Sequence, residues 1–524
     1  MLSHFGKILR TIRYIKPKQA LFQVRNRFLK GKPFSHYKAD GTIQLSAHDL
    51  NLVPLPSLPE YATEFNSFTF LNLSKTFSKE IDWNFQDYGK LWNYNLQYFA
   101  FINQQDISEE LRVSWLRDLY TKLSVRVVKL EPYPVSLRVM NLIRFFSLTK
   151  SRKSKYGDIL GSLYAELNWL NTNYEYHLLG NHLLENSFAM LMGARFFGKK
   201  DWENKASEIL KIQLNEQILK DGAHFELSPM YHQIILFRVL EAINHLPEVA
   251  ELSSFLKSKA RLMLGWLKQM TFNNGDIPHF NDSTDQIAFT TKELFKLAHE
   301  LGIGSEDIQL FESGFRKFSN VNFEFIVDVH GISPSYQPGH NHSDHLSFIL
   351  YCGGKPFLVD PGISTYNISE RRNWERSSRA HNTVTIDDRD QSEVWSGFRV
   401  GRRAKVNILT ESDSGVNAEV RYGGLSHKRE VSFSESSVVI SDKLSINSPV
   451  KARFYLHPDV ALEPNNPNCL TLTNGIKVIF ETSSEFSIYD YEFSEGFNKL
   501  VSGICIEANF SGNLITSIRI PQND

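Results

Sequence analysis

The stretch GHNHSDHLSF, residues 339–348, gathers His340, His342, Asp344 and His345 within six positions. Imidazoles beside a carboxylate can hold a divalent ion or pass protons, and both chemistries need such groups to converge. If the stretch is a strand, alternate residues share a face, so His340, His342 and Asp344 meet while His345 points away. That geometry suits zinc or another first-row divalent ion. A site drawn from several strands, or a plain polar strand, stays open from these residues alone.

Three other clusters carry groups of the same kind. YHLLGNHLLEN holds His177, Asn181, His182, Glu185 and Asn186, and DGAHFELSPMYHQ holds His224, Glu226, Tyr231 and His232. GDIPHFNDSTD holds His279, Asn281 and Asp282; downstream of the opening stretch, FLVDPG and RSSRAHNTV supply Asp360, Arg379 and His381. Each has a local explanation without function. Asn181 heads an apolar helical run, where asparagine caps. Tyr231 and His232 suit a satisfied buried pair. The residues around His279 suit turn chemistry.

The elements that must position these groups change type along the chain. From about residue 105 to 305, runs such as LRDLYTKLSVRVVKL, NHLLENSFAMLMGARFF and IILFRVLEAINHL repeat apolar residues at three- and four-residue steps, as helices do. Successive helices with broad apolar faces pack as antiparallel neighbours, which predicts a toroid or solenoid. Near residue 320 the period becomes two, in runs such as NFEFIVDVHG and REVSFSESSVVISDKLS. Many short strands without intervening helices predict an antiparallel sandwich. The expectation is a multi-domain α+β chain: an irregular, partly helical lead-in at 1–104, a helical domain at 105–320 and a sandwich at 321–524.

Composition narrows the partners. Lys+Arg and Asp+Glu both number 58 in 524 residues, so no global charge favours nucleic acid. Three cysteines form no CxxC pair and no disulfide framework. The first 32 residues hold nine Lys or Arg and no acid. Their amphipathic pattern suits helices packed on the domain, with contact to an anionic membrane surface as the alternative. Neither a recognisable signal peptide nor a transmembrane run is apparent, so a bacterial cytoplasm or periplasm is expected.

Taken in order, GNHLLEN, DGAHFELSPMYH, GDIPHFNDS, GHNHSDHLSF, FLVDPG and RAHNTV resemble the heparinase II/III-like polysaccharide lyases, as do PYPVSLRVMN and QSEVWSGFRVGRRAKV. The resemblance implies an incomplete (α/α) toroid followed by an antiparallel β-sandwich, and β-elimination at a uronic acid in an acidic polysaccharide. Such a reaction needs groups that neutralise the uronate carboxylate, a base for the C5 proton and an acid for the leaving O4. By resemblance Asn181 and His182 take the carboxylate, Tyr231 carries the proton at the leaving oxygen, and His340 is its counterpart. Arg138, Trp92, Tyr94, His232, Glu226, Asn281 and Arg379 are expected to bind substrate. The resemblance also implies a Zn2+ ion held by His342, Asp360 and His381, in place of the local grouping His340, His342 and Asp344. The basic lead-in resembles members associated with bacterial surface-polysaccharide production. Two other readings are a glycoside hydrolase using Glu185 and Glu226, and a non-catalytic polysaccharide-binding protein. A purely structural module leaves the polar clusters without a purpose.

Overall fold

The computed structural model describes residues 2–28, 47–53, 60–149, 151–463, 469–472, 475–481 and 485–521; Lys30 and Lys32 of the basic lead-in lie outside them. The helical period is realised as expected. Gly180–Phe197 packs against Pro132–Leu148, Lys200–Gln217 and Pro229–His245, and Pro229–His245 packs in turn against Glu251–Met270. Two details differ from the pattern. The run LRDLYTKLSVRVVKL is helical only to Ser124. Lys200–Gln217, more polar than its neighbours, is a full helix because its narrow stripe of Trp202, Ala206, Leu210 and Leu214 is buried.

The lead-in is more ordered than its sequence suggests. Ala62–Thr63, Ser67–Phe70 and Leu73–Thr76 form a three-stranded antiparallel sheet, and Lys90–Tyr98 is a helix. Phe68, Phe70, Trp83 and Trp92 share one apolar core with the helices that follow. Residues 60–104 therefore belong to the helical body.

Beyond Glu300, the end of the last long helix, the chain is built from antiparallel strands. Among the described residues, one sheet has seven strands and two have four. Phe325, Leu350, Val384, Val420, Ile440, Phe454 and Ile518 enter one core shared by these sheets. Strand pairing begins at Phe315, which faces Asp328, so a boundary after residue 320 would cut the first hairpin. A separate apolar cluster, with Trp266 and Phe272 from the helical half and Phe315, Ile349 and Tyr351 from the strands, joins the two halves. Tyr351 stacks on Phe272 with centroids 3.7 Å apart.

The helices Leu2–Ile12 and Pro17–Phe28 cross the seam between the halves. Arg10 pairs with Glu393, Trp395 donates to the Thr11 hydroxyl, and Gln19 donates to the Leu178 carbonyl. One side of this lead-in is thus packed on the body, while Phe5, Leu9, Ile12, Leu21, Val24 and Phe28 remain exposed. Among the described residues no helix is long and apolar enough to cross a membrane.

Candidate active site

A cleft of about 500 Å³ lies where the helical half, the strand half and the N-terminal helices meet. Asn181, His182, Tyr231 and His340 all line it, as does Tyr94. Residues 159 positions apart in sequence thereby share one cavity.

Asn181 and His182 stand in the first turn of Gly180–Phe197. Leu179 (φ 64°) and Gly180 (φ 56°) both occupy the left-handed region, which turns the chain sharply into the helix. Glycine is needed at 180, since a Cβ there would lie 1.9 Å from the Gln337 amide oxygen. No side chain caps this helix, so the capping role expected of Asn181 is not used. Instead its Oδ1 is buried without a partner, an orphan that calls for a ligand or water. His182 is partly buried, stacks on Tyr133 and lies 3.2 Å from Glu175 through Nδ1. Burial disfavours the imidazolium, but Glu175 outweighs it and the His182 pKa is raised.

Tyr231 enters from the helix Pro229–His245. Ser228 caps that helix by accepting from the Tyr231 amide, and its hydroxyl donates to the Asp282 carbonyl, tying the helix start to the 275–285 loop. The Tyr231 hydroxyl lies 3.3 Å from that of Tyr366, and its ring lies 4.0 Å from the His340 ring. Burial, with Tyr366 adding to it, holds Tyr231 well above the ordinary phenol range, so it stays protonated.

Residues 339–346 form loop and turn, and the strand begins only at Phe348; the strand alternation expected for His340, His342 and Asp344 does not apply. A single carboxylate organises them instead. Asp282 accepts from His340 Nδ1 at 2.8 Å, from His342 Nε2 at 2.9 Å, and from both Arg372 terminal nitrogens at 2.5 and 2.7 Å. Burial raises the Asp282 carboxyl, but Arg372 and the two imidazoles overcome it and keep it ionised. Hydrogen bonding to Asp282 assigns the proton of His340 to Nδ1 and leaves Nε2 as an acceptor, 3.9 Å from Glu226 Oε2.

Residues 86–308 match the model described as Heparinase II/III N-terminus, and residues 303–519 match Heparinase II/III-like, C-terminal. The chain belongs to the heparinase II/III-like family. It is 26% identical over 340 residues to a heparin-sulfate lyase of Pedobacter heparinus, and 25% identical over 305 residues to one of Bacteroides stercoris. These matches cover 58% and 51% of this chain, but only 50% and 44% of those relatives. The chain thus spans about half the length of the curated relatives it matches. A solved heparinase III has a similar fold, with TM-score 0.65 at 17% identity, covering 86% of this chain and 80% of that one.

In this family member the buried side of Asp282 leads to a second polar centre. His342, Asp344 and His381 each offer one ligand atom, all within 4.8 Å of one another. His342 Nδ1, Asp344 Oδ2 and His381 Nε2 are also buried without partners. Three orphaned acceptors of these types fit a divalent ion. Burial lowers His342 to about 4, keeping it in the neutral form that ligates. Asp360, expected as a ligand, accepts from His381 Nδ1 at 2.7 Å and so orients that imidazole from behind, while Asp344 is the carboxylate grouped with the two unpartnered imidazole nitrogens. A second grouping, Asp328, Asp344 and His345, is poorer because both His345 nitrogens already face partners, the His330 carbonyl and the Ser392 hydroxyl.

Several expected substrate contacts lie elsewhere. Arg138 is buried against Glu166 and the Gln97 carbonyl. Trp92 is fully buried, its indole donating to the Leu73 carbonyl. His232 is consumed by the Met263 carbonyl and the His224 amide. Asn281 staples backbone, donating to Leu227 and accepting from the His342 amide. Arg379 is exposed and is not among the cleft-lining residues. All five looked like binding residues because polar and aromatic groups near the motifs serve packing as readily as recognition. Glu226 lies just behind the cleft, its Oε2 3.9 Å from His340 Nε2, both carboxyl oxygens lacking partners and its pKa raised by burial. Glu185 is held bidentately by Arg238, which removes it from any acid–base pair. Tyr366 and Arg372 escaped sequence reading. The stretch STYNISERRNWERSS between two recognised motifs was their only signal.

Proposed function

We propose that the protein is a polysaccharide lyase that cleaves a uronic-acid-containing chain by β-elimination. The observation that carries this reading is the convergence of Asn181, His182, Tyr231 and His340 on one cleft. In this scheme the Asn181 Nδ2 and the His182 imidazolium donate to the uronate carboxylate and stabilise charge that develops as C5 is deprotonated. His340 Nε2 accepts the C5 proton on one side. Tyr231, kept protonated, donates to the departing O4, with Tyr366 fixing its hydroxyl. Tyr94 and Tyr133 supply aromatic wall for sugar rings. The names of the curated relatives, heparin-sulfate lyases, support an acidic polysaccharide as the substrate class.

Within this reading the helical half is an incomplete toroid and the strand half a sandwich. A divalent ion, with zinc suited to the donor set, would be held by His342, Asp344 and His381. It would rigidify the loop carrying His340 and supply no step of the elimination. Glu185 sequestered by Arg238 weighs against the hydrolase alternative.

The test is incubation of the purified protein with heparan-type, chondroitin-type and alginate polymers and with the producer's own exopolysaccharide. Growth of the ultraviolet absorbance of an unsaturated uronate is the expected result. New reducing ends without that absorbance would replace elimination by hydrolysis.

A further inference from the structure

The seven-stranded sheet carries an arrangement that folding alone does not favour. Strand alternation turns Lys405, Arg421, Lys428 and Lys443 to its outer face, where all four are exposed while Val420, His427 and Leu444 are buried. In the strand register Lys405 lies directly opposite Arg421, and Lys428 lies directly opposite Lys443. Like charges facing each other across strands are destabilising, and they sit side by side in a chain of zero net charge. Glu419 is the one carboxylate in the groove lining; it is engaged by Arg421 at 2.7 Å and by the Ser426 hydroxyl, and it stands opposite Lys428 in the register without a close ion pair to it. Among the described residues Lys405, Lys428 and Lys443 form no ion pair.

These side chains line a groove of about 700 Å³. Arg403 lines both cavities, so the groove and the cleft share a wall. Its guanidinium lies 3.6 Å over the Tyr14 ring and donates to the Ser335 carbonyl, fixing it at the junction.

We propose that this groove is an anion-binding track that holds the acidic polysaccharide beyond the cleft, with Lys405, Lys428 and Lys443 engaging carboxylate or sulfate groups several sugars from the scissile bond. The proposal rests on the polysaccharide reading of the cleft. An anionic chain offsets the cross-strand repulsion, which Glu419 alone in the groove lining counters, and Arg403 hands that chain from groove to cleft. Short fragments fill the cleft without reaching the three lysines.

The experiment compares the intact protein with Lys405→Gln/Lys428→Gln/Lys443→Gln and with the corresponding triple Lys→Arg variant. Binding of full-length heparin and of a heparin tetrasaccharide is followed by calorimetry across a salt series, with thermal melts as the folding control. The triple Gln variant should bind full-length heparin roughly tenfold more weakly, with a salt dependence reduced by about the number of charges removed. Its tetrasaccharide affinity and melting temperature should stay at the wild-type values, and the Arg variant should regain polymer binding. Unchanged polymer affinity and salt dependence in the Gln variant would overturn the proposal, as would a wild-type protein that binds polymer and tetrasaccharide alike. Because binding needs no turnover, polymer binding lost in the Gln variant upholds the track even if no polymer is eliminated, whereas elimination with no chain-length dependence overturns the track alone.

Discussion

His340 and His342 are two residues apart and bond to the same carboxylate, yet they serve different regions. On the cleft side, His340 is partly exposed, stacks on Tyr231 and keeps its Nε2 without a hydrogen-bond partner among the described residues, 3.9 Å from Glu226 Oε2. On the buried side, His342 is fully enclosed and its free nitrogen faces Asp344 and His381. The residue type and the anchoring carboxylate are the same; the bonding nitrogen, Nδ1 in His340 and Nε2 in His342, and the depth differ. One imidazole borders the cleft, while burial holds the other in its neutral form. Asp282 and Arg372 keep both in register, so the buried centre acts as the foundation of the cleft.

Tyr231→Phe should break the cleft side alone: kcat falls by about 10²–10⁴-fold while the melting temperature and polymer affinity hold, since one proton donor is lost and the ring stays. Elimination at full rate in this variant removes Tyr231 from the reaction. Asp282→Ala should strike both regions together. It leaves the buried Arg372 without its partner, a loss of about 3–5 kcal/mol in stability, and frees both imidazoles to turn. Denaturant unfolding measures the first effect, and rates on the folded fraction measure the second. A variant that lost stability but kept its rate would show that the cleft needs no foundation.

His342→Ala should sharpen the contrast, costing about 1–3 kcal/mol of stability, abolishing binding of the proposed divalent ion, and lowering the rate less than His340→Ala does. Metal analysis beside thermal melts reads both. The smallest effect concerns pH. The pKa of His182 is raised beside Glu175, so its charge, and the stability of that pair, are fully present below the ordinary imidazole value of about 6.5 and are lost as pH rises through the raised value. Rate profiles should therefore fall on the alkaline side, and His182→Gln should remove that limb. An unchanged limb would assign it to another group.

How much of this was legible beforehand depends on the kind of signal. The helix-to-strand switch near residue 320 was plain, because apolar period reports burial directly, and only the first hairpin at Phe315 fell on the wrong side of it. The N-terminal sheet at 62–76 was missed because its strands are two to four residues long, too short to show a period. The ordered motifs identified Asn181, His182, Tyr231 and His340. They could not separate Arg138, which pairs with Glu166 in the core, from a residue facing sugar.

By itself the sequence determined the succession of helices and strands, the family, and the four residues that meet in the cleft, because periodicity and motif order are written along the chain. Tertiary structure alone decided that His340 and His342 part ways around Asp282, that Asp360 bonds to His381 Nδ1 while Asp344 groups with the unpartnered nitrogens of His342 and His381, and that four outward cations line one groove. Each of these depends on which side chains distant stretches bring within a few ångströms, and on how far water is excluded there.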